Sequence, residues 1–200
     1  MPKGDEVMEV RKLKTVIAGC GKIFPMHAVP VSRDPHAVLT AVCDVKPERA
    51  GAAAERFGCR AYTDFEVMLE QEKPDVVHIC TPHYLHVPMT IYALERNINV
   101  FMEKPPAISF DQLEELKKAA AKSDAQLGFC YQNRYNASIR AAKDLIDSGK
   151  AGKVLGARAF VTWCRGAAYY TESGWRGSLK TEGGGVLIQE NSKEKQEEKE

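Results

Sequence analysis

The chain has 200 residues, a length that fits one large domain or one domain with part of another, and excludes both a peptide hormone and a many-domain assembly. Lys and Arg number 28 against 27 Asp and Glu, a formal charge of +1, so no overall basic field is available to grip nucleic acid by its phosphates. Hydrophobic residues are 44% and charged residues 28%, proportions that supply a sizeable core and argue against wholesale disorder.

In chain order, Met1 to Lys14 mixes Lys3, Asp5, Glu6, Glu9, Arg11, Lys12 and Lys14 with scattered apolar residues, so no signal peptide is read there; residues 1–12 are expected to be an extension. From Leu13 short β-rich runs alternate with helical stretches. Val16-Ile17-Ala18, Val38 to Cys43, Asp75 to Cys80, Ile98 to Met102 and Gln126 to Cys130 read as strands covered on both faces. Between them lie predicted helices at Pro47 to Phe57, with Pro at the start and Gly58 at the stop, and at Asp64 to Glu72, His86 to Arg96, Ser109 to Ser123 and Asn136 to Ser148. Alternation of this kind predicts an α/β fold, a doubly wound parallel sheet of the Rossmann type over residues 13–150.

After Gly149 and Gly152 the composition changes. Val154 to Trp163 is predicted to be a strand, and a Gly-rich aromatic stretch follows. Residues 151–188 are read as the incomplete start of a second, α+β domain, too short to support its own core. Residues 189–200 hold five Glu, three Lys and no apolar side chain, and read as a disordered tail. The exposed edge and apolar face of such a partial domain predict a homo-oligomer. No apolar run of 18 residues occurs, so no membrane-spanning helix is predicted. The six cysteines form no C-x-x-C pair, which fits free thiols in the cytoplasm.

Gly19-Cys20-Gly21 follows the first strand and opens a helix, where a dinucleotide loop needs glycines: the first for a tight turn, the second for close backbone approach to a pyrophosphate. Asp44, at the end of the next strand, is placed to accept hydrogen bonds from ribose hydroxyls. A role as helix cap before Pro47 is the competing reading of Asp44. A carboxylate there repels a 2′-phosphate and favours NAD over NADP, although Lys46 and Arg49 work against that preference. The third glycine position holds Phe24, followed by Pro25, so close packing of this helix on the sheet is not expected. His83 and His86 lack an acidic or cysteine partner at metal-ligand spacing, so no metal is expected; His78 reads as a core histidine.

Further stretches join this loop: Cys80-Thr81-Pro82-His83-Tyr84-Leu85-His86, Glu103-Lys104-Pro105, Tyr131-Gln132-Asn133-Arg134-Tyr135, Trp175-Arg176-Gly177 and Glu182-Gly183-Gly184-Gly185. With Gly19-Cys20-Gly21-Lys22-Ile23, they make the chain resemble the Gfo/Idh/MocA family of NAD(P)-dependent oxidoreductases over roughly residues 13–188. The resemblance implies hydride transfer between a nicotinamide cofactor and a hydroxyl of a sugar or polyol. It implies that Lys104 is the catalytic or orienting cation beside the nicotinamide, and Glu103 a ribose contact. By the same resemblance Gly19, Gly21, Lys22, Ile23, Asp44, Thr81, Pro82, His83, His86, Pro105 and Asn133 are cofactor-binding, and Trp175 and Arg176 close over the cofactor. A lysine near the reacting hydroxyl suits the chemistry, since it stabilises the alkoxide formed as the hydride leaves.

The chain departs from the family after Ile188, where the resemblance implies a catalytic histidine and aspartate: no histidine follows His86. A truncated reading is expected, with hydride transfer impaired. The alternative is a nucleotide-binding module without catalysis, a sensor or partner subunit. A methyltransferase using S-adenosylmethionine would share the Gly loop and the acidic residue but does not require Glu-Lys-Pro after a strand.

Overall fold

A computed structural model describes residues 11–184, apart from Ala159, Val161 and Trp163. Six strands form one all-parallel sheet: Leu13–Ala18 (β1), Ala37–Cys43 (β2), Arg60–Tyr62 (β3), Val76–Ile79 (β4), Asn99–Glu103 (β5) and Leu127–Cys130 (β6). Their order across the sheet is β3-β2-β1-β4-β5-β6. The expected doubly wound α/β architecture is therefore present. Each strand-to-strand passage is made by a helix: Phe24–Arg33 (α1), Pro47–Phe57 (α2), Phe65–Glu72 (α3), His86–Leu94 (α4) and Phe110–Ala120 (α5).

Strand periodicity sets the layers, because successive side chains point to opposite faces. Val16 and Ala18 of β1 enter one core with Met68 and Leu69 of α3, Val87 and Leu94 of α4 and Leu116 of α5. Ile17, between them, enters the other core with Phe24, Ala28 and Val31 of α1 and Ala53 and Ala54 of α2. Both faces are thus covered, which is why these strands read as continuous apolar runs rather than alternating ones.

Local chemistry fixes the helix ends. Asp64 caps α3 by accepting from the Val67 N–H at 2.9 Å, and Ser109 caps α5 by accepting from Gln112 N–H at 3.2 Å. Gly58, in the left-handed conformation, ends α2. Phe24 does not break the packing of α1: its ring is buried and meets Phe57 of α2 edge-on at 5.6 Å. The helix therefore packs through an aromatic contact where a third glycine would allow backbone approach.

Beyond β6 the character changes. Ala137–Asp147 (α6) is exposed along its whole length. The strand expected at Val154 to Trp163 is not formed by its described residues; Ala159, Val161 and Trp163 lie outside them. A strand needs a ladder partner to satisfy its backbone, and the described residues here join no ladder. The chain then makes two short helices, Ala167–Thr171 (α7) and Leu179–Glu182 (α8). The tail at 189–200 lies outside the described residues. Among the described residues no helix is long and apolar enough to cross a membrane.

Candidate active site

The strand order reverses between β1 and β4: β1 leads to β2 on one side, and β4 follows on the other. In open parallel sheets the loops diverge at this point and leave a crevice beyond the carboxyl ends of the strands. Gly19-Cys20-Gly21 leaves β1 into it, Asp44 ends β2, Thr81 to His83 follow β4, and Lys104-Pro105 follow β5.

The Gly loop is shaped by both neighbours. Gly19 donates its N–H to Cys43 O at 2.7 Å and has φ +95°, and a Cβ there would lie 2.5 Å from Cys80 O, so only glycine fits. Gly21 differs: a Cβ there would meet nothing within 4 Å, which leaves the backbone open on that side. Asp44 holds the loop, accepting from Cys20 N–H at 2.9 Å with one oxygen and from Lys46 N–H at 3.0 Å with the other. It does not cap α2, whose N-cap is Lys46. Burial, with the Asp44 charge beside it, pushes the Cys20 thiol up to about 12, so this cysteine stays protonated. Ile23 packs half-buried against the α1–α2 core, and Lys22 is exposed.

The loops after β4 and β5 are tied together from behind. His86 is wholly buried, with Nδ1 2.8 Å from Pro105 O and Nε2 3.0 Å from Thr81 O. Both partners are acceptors, so full satisfaction needs both ring protons, yet burial lowers the pKa of His86 and favours a ring that carries one. The contact joins the Thr-Pro loop to the Lys-Pro loop, whose Lys104–Pro105 peptide is cis. Thr81 and Pro82 are half-buried at the mouth, Pro105 is buried and Lys104 is exposed. Glu103 is only 6% exposed: its carboxylate is turned inward to His27 of α1, Oε1 to Nε2 2.9 Å, and its other oxygen accepts from Lys104 N–H at 3.2 Å. Burial alone would raise the Glu103 pKa, but hydrogen bonds from His27, Cys130 and the Lys104 N–H outweigh it and bring it below the ordinary range.

The segment after α6 reaches back to this mouth. The Trp175 ring meets His83 edge-on at 4.7 Å, and the Arg176 guanidinium lies over the rings of Tyr169 and Trp175 at 4.3 and 4.6 Å. His83 Nδ1 sits 2.8 Å from Glu182 O, and Lys22 lies 3.8 Å from Glu172. Burial lowers the pKa of His83 to about 4, so it is neutral and donates to that carbonyl. Trp175 is thus brought to the Thr-Pro loop with Arg176 stacked on it, and Glu172 is brought to Lys22 beside the Gly loop. Asn133 is not: it is exposed on the turn Gln132–Tyr135, and its side chain bonds to none of the other residues.

Several groups escape sequence reasoning. His27 and His78 meet through their Nδ1 atoms at 3.1 Å, and both rings contact Phe101. Glu182 is 2% exposed; one oxygen accepts from Gly177 N–H at 2.6 Å and the other has no partner. The donor atoms of His27, Glu103 and Cys130 lie within 4.8 Å of one another. Two of them stand at 2.9 Å, a hydrogen-bond separation; two ligands of one tetrahedral zinc, each at about 2.0–2.1 Å, would stand roughly 3.4 Å apart. The arrangement is that of a hydrogen-bonded triad. A signal for it exists only in part: a histidine in the first turn of the helix that follows the Gly loop is visible, but its partner lies 76 residues away.

Among curated proteins the chain is similar to D-glucoside 3-dehydrogenase of Escherichia coli K12, 31% identical over 180 residues, covering 88% of this chain and 50% of that protein. Among solved structures it is similar to the WlbA dehydrogenase from Bordetella pertussis in complex with NADH and UDP-GlcNAcA. The TM-score there is 0.85 at 30% identity, over 89% of this chain and 51% of that one. It also matches scyllo-inositol dehydrogenase from Lactobacillus casei with bound NAD(H) and scyllo-inositol, at TM-score 0.69 and 28% identity, over 72% and 43% of the two chains. The chain spans about half the length of the relatives it matches. Residues 13–131 fit the model of the oxidoreductase family with an NAD-binding Rossmann fold. With its Gly loop, Asp44 and Glu-Lys-Pro loop assembled on one crevice, the chain belongs to the Gfo/Idh/MocA oxidoreductase family.

Proposed function

We propose that this chain is the cofactor-binding part of an NAD-dependent oxidoreductase that moves a hydride between the nicotinamide and a hydroxyl of a sugar or polyol. The observation that carries the reading is the convergence of four loops on the crevice between β1 and β4, the place where doubly wound sheets bind dinucleotides. The residues fit the group. Gly19 makes a turn that no Cβ permits, Gly21 leaves the backbone open to a pyrophosphate, and the following α1 offers its N-terminus. Asp44 holds the loop with two of its lone pairs and keeps others to accept ribose hydroxyls.

In this reading Gly19, Gly21, Lys22, Ile23 and Asp44 hold the adenosine and pyrophosphate end. Thr81, Pro82 and His83 border the nicotinamide end, Trp175 and Arg176 cover it, and His86 and Pro105 fix the two loops against each other. The bound cofactor supplies the hydride acceptor or donor. Lys104, exposed at the mouth, is positioned to hold the substrate hydroxyl and stabilise its alkoxide as the proton is lost. The UDP-GlcNAcA and scyllo-inositol bound by similar dehydrogenases, and similarity to a D-glucoside 3-dehydrogenase, support that substrate class. Residues 13–150 form the cofactor domain and 151–188 the beginning of a substrate and oligomerisation domain. The six free cysteines agree with a reducing, cytoplasmic setting.

The test is a hydride-transfer assay of the chain against a panel of sugars and polyols, beside its Lys104→Met variant. Turnover that the substitution reduces by roughly 10²-fold or more supports the role of Lys104. Turnover unaffected by Lys104→Met contradicts it.

A further inference from the structure

We propose that His27 is the positioning residue of the Glu103-Lys104-Pro105 loop: it holds Glu103 as an inward-facing carboxylate, and so leaves Lys104 directed at the crevice. The role of Lys104 itself rests on the reading above. The hold of His27 on Glu103 does not.

The argument begins with strand geometry. Residues two apart on β5 share a face, so Glu103 lies on the side of Phe101, whose register partner on β4 is His78. That face is covered by α1, which places His27 over all three. Lys104, the next residue, lies just past the end of β5 and is exposed. Anchoring Glu103 below therefore sets where Lys104 emerges above.

Proton accounting then restricts the rings. An ionised carboxylate only accepts, so His27 Nε2 carries a proton in every arrangement that keeps Glu103 charged. His27 Nδ1 and His78 Nδ1 share one proton across 3.1 Å. Burial, with His27 beside it, lowers the pKa of His78 to about 4, so His78 is neutral. A neutral His78 serves either state of its neighbour, donating through Nδ1 to a neutral His27 or accepting there from a protonated one, and in both His27 Nε2 donates to Glu103. Around Glu103 stand Cys80 beyond β4, Cys130 on β6, His86 on α4 and Lys104 itself. Burial and Glu103 push the Cys130 thiol up to about 11, so it stays protonated. Of these groups His27 is the one whose ring nitrogen reaches the carboxylate at 2.9 Å. Without that donor a buried carboxylate takes up a proton, and the Lys104 N–H loses a charged acceptor.

The test compares the whole chain with His27→Gln, whose amide can replace the donor, and His27→Leu, which cannot. It begins without cofactor. The Glu103 side-chain ¹³C resonance, assigned with Glu103→Gln, should show no titration between about pH 5 and 8 in the parent and His27→Gln, and should titrate within that range in His27→Leu. The Lys104 amide should exchange at least tenfold faster in His27→Leu alone. NADH titration then reads the consequence: affinity kept by His27→Gln and weakened at least tenfold by His27→Leu. A carboxylate that stays ionised in His27→Leu, with unchanged exchange at Lys104, overturns the proposal. Failure of the parent chain to bind NADH overturns the cofactor reading and leaves the titration and exchange results to decide the role of His27. Should His27→Leu fail to fold, a Glu103 that titrates near neutral pH in His27→Gln also overturns it.

Discussion

Gly19 and Gly21 are two glycines of one loop with different physical duties, and substitution separates them. Gly19 has φ +95° and a carbonyl 2.5 Å from where a Cβ would stand, so Gly19→Ala distorts the loop against Cys80. We expect it to lose about 1–3 kcal/mol of unfolding free energy in urea titration. Gly21→Ala meets nothing within 4 Å, so its stability should stay within about 0.5 kcal/mol of the parent while NADH binding weakens at least tenfold. Equal effects of both substitutions on stability would contradict the assignment. Asp44→Ala should weaken NADH binding at least tenfold and narrow the gap to NADPH, because the charge that repels a 2′-phosphate is gone. The site was only partly legible at this scale. Strand context in the sequence singles out Gly19, Asp44 and Lys104, each on a loop at the carboxyl end of the sheet, whereas nothing there shows that the Glu103 carboxylate meets His27. Nothing local in the sequence announces a partner 76 residues away, on the helix that covers that face of the sheet.

At the scale of elements, β1, β2, β4, β5 and β6 were legible because burial on both faces makes each a continuous apolar run. β3 was not: Arg60–Tyr62 is three residues long and largely exposed, and it becomes a strand only by pairing with Ala41–Cys43. The reverse error occurs at Val154 to Trp163, where an apolar pattern is expected to be a strand and its described residues form none. Propensity describes a residue's fit to a pleated, half-buried surface, and the surface has to exist. The histidines on and beyond β4 give a pH dependence. His78 and His83 have pKa values lowered by burial to about 4 from an ordinary 6.5, so below pH 6.5 the unfolded chain binds more protons than the folded one. Their contribution is complete above 6.5 and is lost as pH falls toward 4. Urea midpoints measured across this window should fall with acidification, and His83→Phe should flatten part of the fall. A midpoint constant from pH 7 to 4 would contradict the burial of both rings.

At the scale of the molecule, the described residues form a doubly wound sheet followed by a segment that leaves large apolar side chains exposed. Leu155 is 91% and Phe160 86% exposed, and Ile139, Leu145 and Ile146 stand open on α6. Apolar side chains gathered this way favour association, so light scattering should show self-association that rises with concentration and weakens in a Leu155→Glu, Phe160→Glu variant. A monodisperse monomer at micromolar concentration would count against it. The loops named at the crevice between β1 and β4 are, by contrast, all among the described residues, and Trp175 meets His83 on the loop after β4. Cofactor binding is therefore the property most directly tied to the structure. The decisive measurement is a titration of the purified chain with NADH and NADPH, following nicotinamide fluorescence and the thermal midpoint together. Saturable NADH binding that raises the midpoint, with NADPH at least tenfold weaker, is the predicted result. No saturable binding of either nucleotide would contradict the assignment of this crevice as an NAD site.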